Sequence, residues 1–300
     1  MALKLAISAT PSPEDQSFTD PTLVSQEPGA DDRKDKNSEL EERLRWFPPN
    51  THITIRGLSK AFGNTTIYDN FDLDIPKGKV TSIFGPNGCG KSTLINMISG
   101  LIPYDSGEIL FDGKSLSETD IGYVFQNYRE ALFPWMRSID NIHYPLKLMG
   151  IPAEERKRRV DALIESFDVP IDFNSYPYQL SGGQMQTICI MRALVVEPEV
   201  LFLDEPFSAL DYEMTLMMRD RLQRIFQARG TTMVMVSHNL EDAVWLADNI
   251  LLLTRKPTRV ADSVAFESAR PRTATTVSEQ EFVDVQKHCL EVFLKEASVR

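Results

Sequence analysis

The sequence predicts an α/β fold built on a parallel sheet, with an N-terminal antiparallel β layer and an inserted α-helical subdomain. Three observations predict it. Short apolar, β-branched runs alternate with helix-period segments over much of the chain, the pattern of parallel strands joined by crossover helices. At one such handover the strand-like Val80 to Phe84 leads into Gly85-Pro86-Asn87-Gly88-Cys89-Gly90-Lys91-Ser92-Thr93, which contains the full GxxxxGK[ST] pattern. Between Met136 and Leu194 the strand signal stops and helical spacing takes over.

The first 50 residues carry six prolines, ten acidic and six basic side chains and no sustained periodicity, so a disordered, solvated tail is expected there, with a short helix over Ser38 to Trp46 as the alternative. From His52 the segments become strand-like. His52 to Arg56 and the alternating Asp72 to Ile75 form an antiparallel layer, and Val80 to Phe84 enters the core. Leu94, Ile95, Ile98 and Leu101 recur at helical spacing after the glycine turn. Glu108 to Phe111 ends in the turn pair Asp112-Gly113, and Ile121 to Phe125 is a buried strand with Gln126 at its end.

A helix over Ala153 to Val169 places Val160, Leu163, Ile164 and Phe167 on one stripe behind the basic run Arg156 to Arg159. Alternation then resumes: strand Val200 to Leu203, helix Met214 to Ala228, strand Thr232 to Val236, helix Leu240 to Ala247, strand Ile250 to Thr254. A hairpin-like strand follows near Arg259 to Phe266, and Ser278-Glu279-Gln280-Glu281 reads as a capping box opening a terminal helix. The expected organisation is a tail over 1–50, a nucleotide-binding domain over 51–257 with its helical subdomain at about 136–194, and a C-terminal extension over 258–300.

Composition narrows the function. A chain of 300 residues, 42% hydrophobic and 25% charged, suits one main domain with a sizeable core. A net charge of -11 argues against a general nucleic-acid partner, which needs a basic surface to neutralise phosphates. Cys89, Cys189 and Cys289 lie far apart without CxxC or Cys/His spacing, so they point neither to a disulfide framework nor to a cysteine zinc site, and a reducing compartment fits. No stretch has the length and apolarity of a membrane span, and Met1 to Pro11 lacks the pattern of a secretory signal, so a cytosolic chain is expected.

The chemistry sits at strand ends. In a P-loop the glycines let backbone N–H groups curl around a phosphate chain, Lys91 reaches the β and γ phosphates, and the Ser92 hydroxyl can ligate Mg2+. This makes the core that of a P-loop NTPase. Leu201-Phe202-Leu203-Asp204-Glu205 is an apolar run ending in two carboxylates, which puts them at the carboxyl end of a buried strand, where parallel sheets bind ligands. Asp204 suits Mg2+, and Glu205 suits a general base that polarises an attacking water. Leu180-Ser181-Gly182-Gly183-Gln184 opens a helix with a hydroxyl and two residues lacking Cβ, a second anion cradle.

The order of these elements, phosphate loop, Gln126, LSGGQ, Asp204-Glu205, Ser208-Ala209-Leu210-Asp211 and then His238, resembles the ATP-binding cassette family, the ATPase subunits of ABC transporters. The resemblance covers about Ile53 to Thr254, and the LSGGQ sequence separates this family from other P-loop NTPases. It implies that Gln126 senses Mg2+ and the γ-phosphate and contacts a membrane partner. It also implies that Asp211 is the D-loop aspartate and that His238 is a switch histidine orienting Glu205. Phe62 matches the aromatic position that stacks on adenine, against the plainer reading of a core aromatic. His52, His143 and His288 have no such support and read as structural or exposed.

Membership implies a dimer in which Ser181, Gly182, Gly183 and Gln184 of one subunit complete the ATP site of another, with hydrolysis releasing the pair. One departure stands out: Met185-Gln186-Thr187 follows the signature where the family commonly has basic residues, and Arg192 is the first cation of that helix. The aromatic segment Asn127 to Met136 suits docking of an integral permease, with a core plug as the alternative.

Its Leu-Phe-Pro-Trp element, the short overall length and the closing Ser268-Ala269-Arg270-Pro271-Arg272 resemble the nitrate, sulfonate, taurine and bicarbonate importer group. That resemblance implies a peripheral subunit on the cytoplasmic face of the inner membrane, working with a permease and a separate solute-binding protein. Three other readings remain: a non-transport cassette ATPase in DNA repair or on ribosomes, an exporter subunit, and a small-molecule P-loop kinase. Those repair and ribosomal proteins usually carry two cassettes or a long coiled coil, an exporter differs in its permease, and a kinase leaves LSGGQ unexplained.

Overall fold

The computed structural model describes residues 50–208 and 210–298. The acidic, proline-containing tail and the alternative helix at Ser38 to Trp46 lie outside the described residues. Two sheets organise the chain. A three-stranded antiparallel sheet has the order β2-β1-β4, with β1 at Thr51–Phe62, β2 at Thr65–Pro76 and β4 at Ser106–Phe111. A six-stranded sheet has the order β5-β6-β7-β3-β8-β9, from β3 Val80–Phe84, β5 Ile121–Val124, β6 Val200–Asp204, β7 Thr232–Val236, β8 Asn249–Leu253 and β9 Val260–Ala265.

Strands β3, β6, β7 and β8 are buried at every position, which explains why their sequences are continuous apolar runs rather than alternating ones. They pair in parallel, and β9 closes the edge antiparallel to β8. The register puts Asp204 beside Val236 and Phe84 beside Leu252, so the carboxyl ends of β3, β6 and β7 share one rim. β1 and β2 instead alternate, and Ile53, Ile55, Tyr68, Phe71 and Ile75 of the antiparallel layer pack into one core with Ile83, Phe202, Val234 and Leu251 of the larger sheet.

Helix α1, Lys91–Ile98, follows β3. Between β5 and β6 lie α2 (Tyr128–Ala131), a short helix in the aromatic segment ahead of the expected insertion, and then α3 (Ser138–Leu148), α4 (Ala153–Phe167) and α5 (Gly182–Leu194). The remaining helices are α6 (Tyr212–Arg229), α7 (Leu240–Leu246) and α8 (Gln280–Ser298). In α4, Val160, Leu163 and Phe167 are buried as the stripe requires, and the basic run is held outside by Arg158 and Arg159 on Glu155.

Several boundaries differ from expectation, each for a local reason. α1 stops at Ile98 because the Ser99 and Gly100 N–H groups close back on Ile95 and Met97 carbonyls; Leu101 lies past its end and is 48% exposed. α4 ends at Phe167, not Val169, since Asp168 takes φ 44 and bonds its N–H to the Ile164 carbonyl. The expected capping box does not form: Ser278 ends the 3-10 turn Thr276–Ser278, its hydroxyl donates to the Thr275 carbonyl, and α8 starts later, at Gln280.

Residues after 257 are joined to the sheet. β9 is its edge strand, Phe266 meets Phe282 of α8 with centroids 5.8 Å apart, and Phe293 of α8 lies 5.2 Å from Phe84, the last residue before the phosphate loop. Arg272 is fully buried and donates to the Val244, Trp245, Ala247 and Phe266 carbonyls, tying this segment to the end of α7. Burial pushes that guanidinium down to about 9.

Candidate nucleotide site

The phosphate loop runs from β3 to α1 as the sequence requires. Gly90 is the residue before the helix, at φ 117, and a Cβ there would stand 2.6 Å from Ile67 Cγ2, so only glycine fits. Tyr68 Oη donates to the Gly90 carbonyl at 3.0 Å, and the Thr258 hydroxyl donates to the Cys89 carbonyl, so two neighbouring segments brace the turn. Lys91 is 7% exposed; its Nζ donates to the Gly85 and Pro86 carbonyls at 2.8 and 3.2 Å, which folds the ammonium over the loop. Cys89 is buried, burial pushes its thiol up, and its N–H donates to the Pro86 carbonyl, in keeping with a backbone contribution.

At the end of β6, Asp204 accepts from the Ser92 hydroxyl at 3.1 Å. Burial raises the Asp204 carboxyl above its usual range, reinforced by Glu205 and opposed by the Ser92 bond and Lys91. A desolvated carboxylate beside a hydroxyl is a donor set suited to a hard cation, so Ser92 and Asp204 fit Mg2+.

Glu205 occupies φ 49, a left-handed conformation uncommon for a residue with a side chain and costing about 1–3 kcal/mol. The strain aims the carboxylate across the rim. Its Oε2 accepts from Gln126 Nε2 at 2.9 Å and lies 3.1 Å from His238 Nδ1. Three predicted residues from three strand ends therefore meet on one oxygen. The Glu205 N–H is fixed by the Val236 carbonyl at 2.9 Å, and a cavity of about 450 Å³ lined by Glu205, Ser208, Leu210, Tyr212 and His238 lies beside it.

Asp211 caps α6, accepting from the Met214 N–H at 2.8 Å. Ser181 caps α5 reciprocally: its Oγ accepts from the Gln184 N–H at 3.3 Å, and Gln184 Oε1 accepts from the Ser181 N–H at 3.0 Å. Among the described residues no hydrogen bond joins Ser181 to Gln184 with the phosphate loop of the same chain. Phe62, at the end of β1, is 52% exposed with Lys60 Nζ 5.2 Å from its ring centre, so it is not a core aromatic.

The residues after the signature are held in the core of the helix packing. Gln186 is 1% exposed and donates to the Pro206 carbonyl at 2.9 Å, linking α5 to the residue after Glu205. Thr187 is also buried, its hydroxyl on the Gly183 carbonyl. Arg192 serves the neighbouring loop, donating to the Ala131 carbonyl at 2.6 Å and lying 5.7 Å from the Phe133 ring centre. In the aromatic segment, Leu132 plugs the core while Trp135 is 70% exposed, and Trp135, Met136, His143, Tyr144 and Arg156 line a cavity of about 450 Å³. Among the described residues no helix is long and apolar enough to cross a membrane.

Residues 68–208 match the protein family described as ABC transporter. An uncharacterized ABC transporter ATP-binding protein of Methanocaldococcus jannaschii is 34% identical over 268 residues, covering 87% of this chain and 97% of its own. A sulfate/thiosulfate import ATP-binding protein of Neisseria meningitidis serogroup A is 42% identical over 212 residues, 67% of this chain and 58% of its own length. This chain thus spans a little over half of that importer subunit, as it does of Pasteurella multocida subunits named for Fe(3+) and for spermidine/putrescine import, both 38% identical. A dimeric ATP-binding cassette solved in a post-hydrolysis state with ADP and Pi superposes with a TM-score of 0.63 at 28% identity, over 72% of this chain and all of that one. A relative aligned over nearly its whole length settles the family: this chain belongs to the ABC transporter ATP-binding proteins, which hydrolyse ATP.

Proposed function

We propose that this chain is the ATP-hydrolysing subunit of an ABC importer, working as a dimer beneath a separate permease. The observation that carries the catalytic part is the convergence of Gln126 and His238 on Glu205 Oε2. A carboxylate approached from two sides by Gln126 Nε2 and His238 Nδ1 is a fixed acceptor for the proton of an attacking water. Lys91 and the backbone N–H groups of the 85–93 loop, among them those of Asn87, Gly88 and Thr93, hold the phosphates, Pro86 shapes the turn without donating, and Phe62 stacks on adenine. Mg2+, held by Ser92, Asp204 and Gln126, would neutralise phosphate charge.

The exposed Ser181-Gly182-Gly183-Gln184 cradle, with Asp211, would complete the ATP site of a second copy or a paralogue. That a related cassette was solved as a dimer supports this reading. Trp135 and the cavity beneath it favour docking of a permease at Gln126 to Met136, since an exposed tryptophan over a groove suits an incoming helix. Peripheral attachment to the cytoplasmic face of the inner membrane and a separate solute-binding protein follow from an importer role.

For the solute, the Leu-Phe-Pro-Trp element and the sulfate-importer relative favour a small anion such as nitrate, sulfonate, taurine or bicarbonate. Affinity capture of the tagged chain from solubilised membranes tests the importer reading. An integral permease should co-purify, and Trp135→Ala should release it while ATP binding persists; recovery of ribosomal or nucleic-acid proteins alone would overturn the proposal.

A further inference from the structure

At the end of the sheet opposite the nucleotide rim, three residues far apart in sequence converge. His52 is in β1, Asp112 follows β4, and Glu199 precedes β6. One ligand atom from each lies within 4.8 Å of the other two. The backbone fixes their places: the Asp112 N–H donates to the His52 carbonyl at 2.7 Å, and the Thr232 N–H to the Glu199 carbonyl at 3.1 Å.

His52 is 2% exposed, and its Nε2 is buried without a hydrogen-bond partner, 3.8 Å from Asp112 Oδ2. Leaving a buried imidazole nitrogen unpaired is unfavourable unless something occupies its lone pair. Its other nitrogen, Nδ1, lies 2.6 Å from Thr232 Oγ1. With the proton on Nδ1 and donated to that hydroxyl, Nε2 presents a lone pair in a fixed direction, the arrangement of an oriented metal ligand.

We propose that His52 Nε2, Asp112 and Glu199 form a site for a divalent transition-metal ion of the zinc class, pinning the antiparallel layer to the amino ends of the larger sheet. An imidazole with two carboxylates favours zinc, cobalt or nickel over magnesium or calcium, which take oxygen ligands alone. Ligand atoms around a tetrahedral ion stand about 3.4 Å apart, so the three atoms must draw together from within 4.8 Å, and the two carboxylates are the exposed members of the set. A cavity of about 480 Å³ lined by His52, Lys77, Glu199, Arg229 and Thr232 gives an entry path. Lys77 now holds Asp112 and is the ion's competitor.

The test uses the full chain, stripped with chelator and free of nucleotide, titrated with Co2+ and then Zn2+. One Co2+ per chain should bind with visible ligand-field bands, Zn2+ should displace it, and saturation should raise the melting temperature by roughly 5 °C. Glu199→Gln, at an exposed residue, should weaken binding at least about tenfold. Lys77→Gln should tighten it, and His52→Asn should abolish the bands. The proposal is overturned by the absence of one-to-one binding at micromolar ion, or by binding that survives Glu199→Gln and vanishes in Asp204→Asn.

Discussion

Replacing Gly90 with alanine should damage the phosphate loop by an amount the geometry bounds. The residue sits at φ 117, where a side chain costs about 1–3 kcal/mol. The added Cβ would stand 2.6 Å from Ile67 Cγ2 and 3.2 Å from Tyr68, inside a packed core, where overfilling costs about 1–3 kcal/mol more. The lower bounds together give about 2 kcal/mol. If the loop yields, the cost falls on nucleotide binding as a loss of roughly thirty-fold in ATP affinity. If the core yields, it appears as about 4–8 °C off the melting temperature of a domain this size. Titration with a fluorescent ATP analogue and a thermal melt measure both. Gly88→Ala is the control: φ is 77 but no atom lies within 4 Å of a Cβ there, so the effect should be smaller. Unchanged affinity and unchanged melting temperature in Gly90→Ala would show that the turn accepts a side chain at position 90.

Two further outcomes follow from charge and burial. Burial pushes the thiols of Cys189 and Cys289 up to about 12 and raises Cys89, so all three should resist iodoacetamide at pH 8 in the folded chain and react once it unfolds, as read by mass spectrometry; labelling of Cys89 in the native chain would show that the phosphate loop opens. Hydrogen bonds from Arg158 and Arg159 hold the Glu155 carboxyl down to about 2, against 4.5 unperturbed. Because the folded value lies below the unfolded one, this pair's contribution to stability is present above about pH 4.5 and is lost as pH falls through about 2. An NMR titration should find a carboxyl midpoint near that value, and a midpoint near 4.5 would contradict the pairing.

Much of the nucleotide end was legible in the sequence because its chemistry is local. A P-loop, a strand ending Asp204-Glu205 and a signature that caps its own helix are contiguous strings whose spacing fixes their geometry. The central strands were legible for a related reason: burial on both faces demands continuous apolar runs. What escaped depends on contacts between distant segments. The packing of Phe293 on Phe84, the role of Gln186 at Pro206, and the approach of His52, Asp112 and Glu199 all arise from sheet order, which no local pattern encodes. The expected capping box at Ser278 failed because the preceding threonines form a 3-10 turn that claims its hydroxyl. The left-handed backbone of Glu205 also has no sequence signal; only its pairing with Gln126 and His238 gives the strain a purpose.

The convergence on Glu205 Oε2 is tested most directly by Glu205→Gln, with ATP turnover and particle mass followed in the same preparation. Removing the carboxylate should leave ATP binding intact, lower phosphate release by a factor on the order of 10² to 10⁴ and leave an ATP-stabilised dimer visible by light scattering. Hydrolysis at the parent rate in that variant would contradict the assignment of Glu205 as the general base.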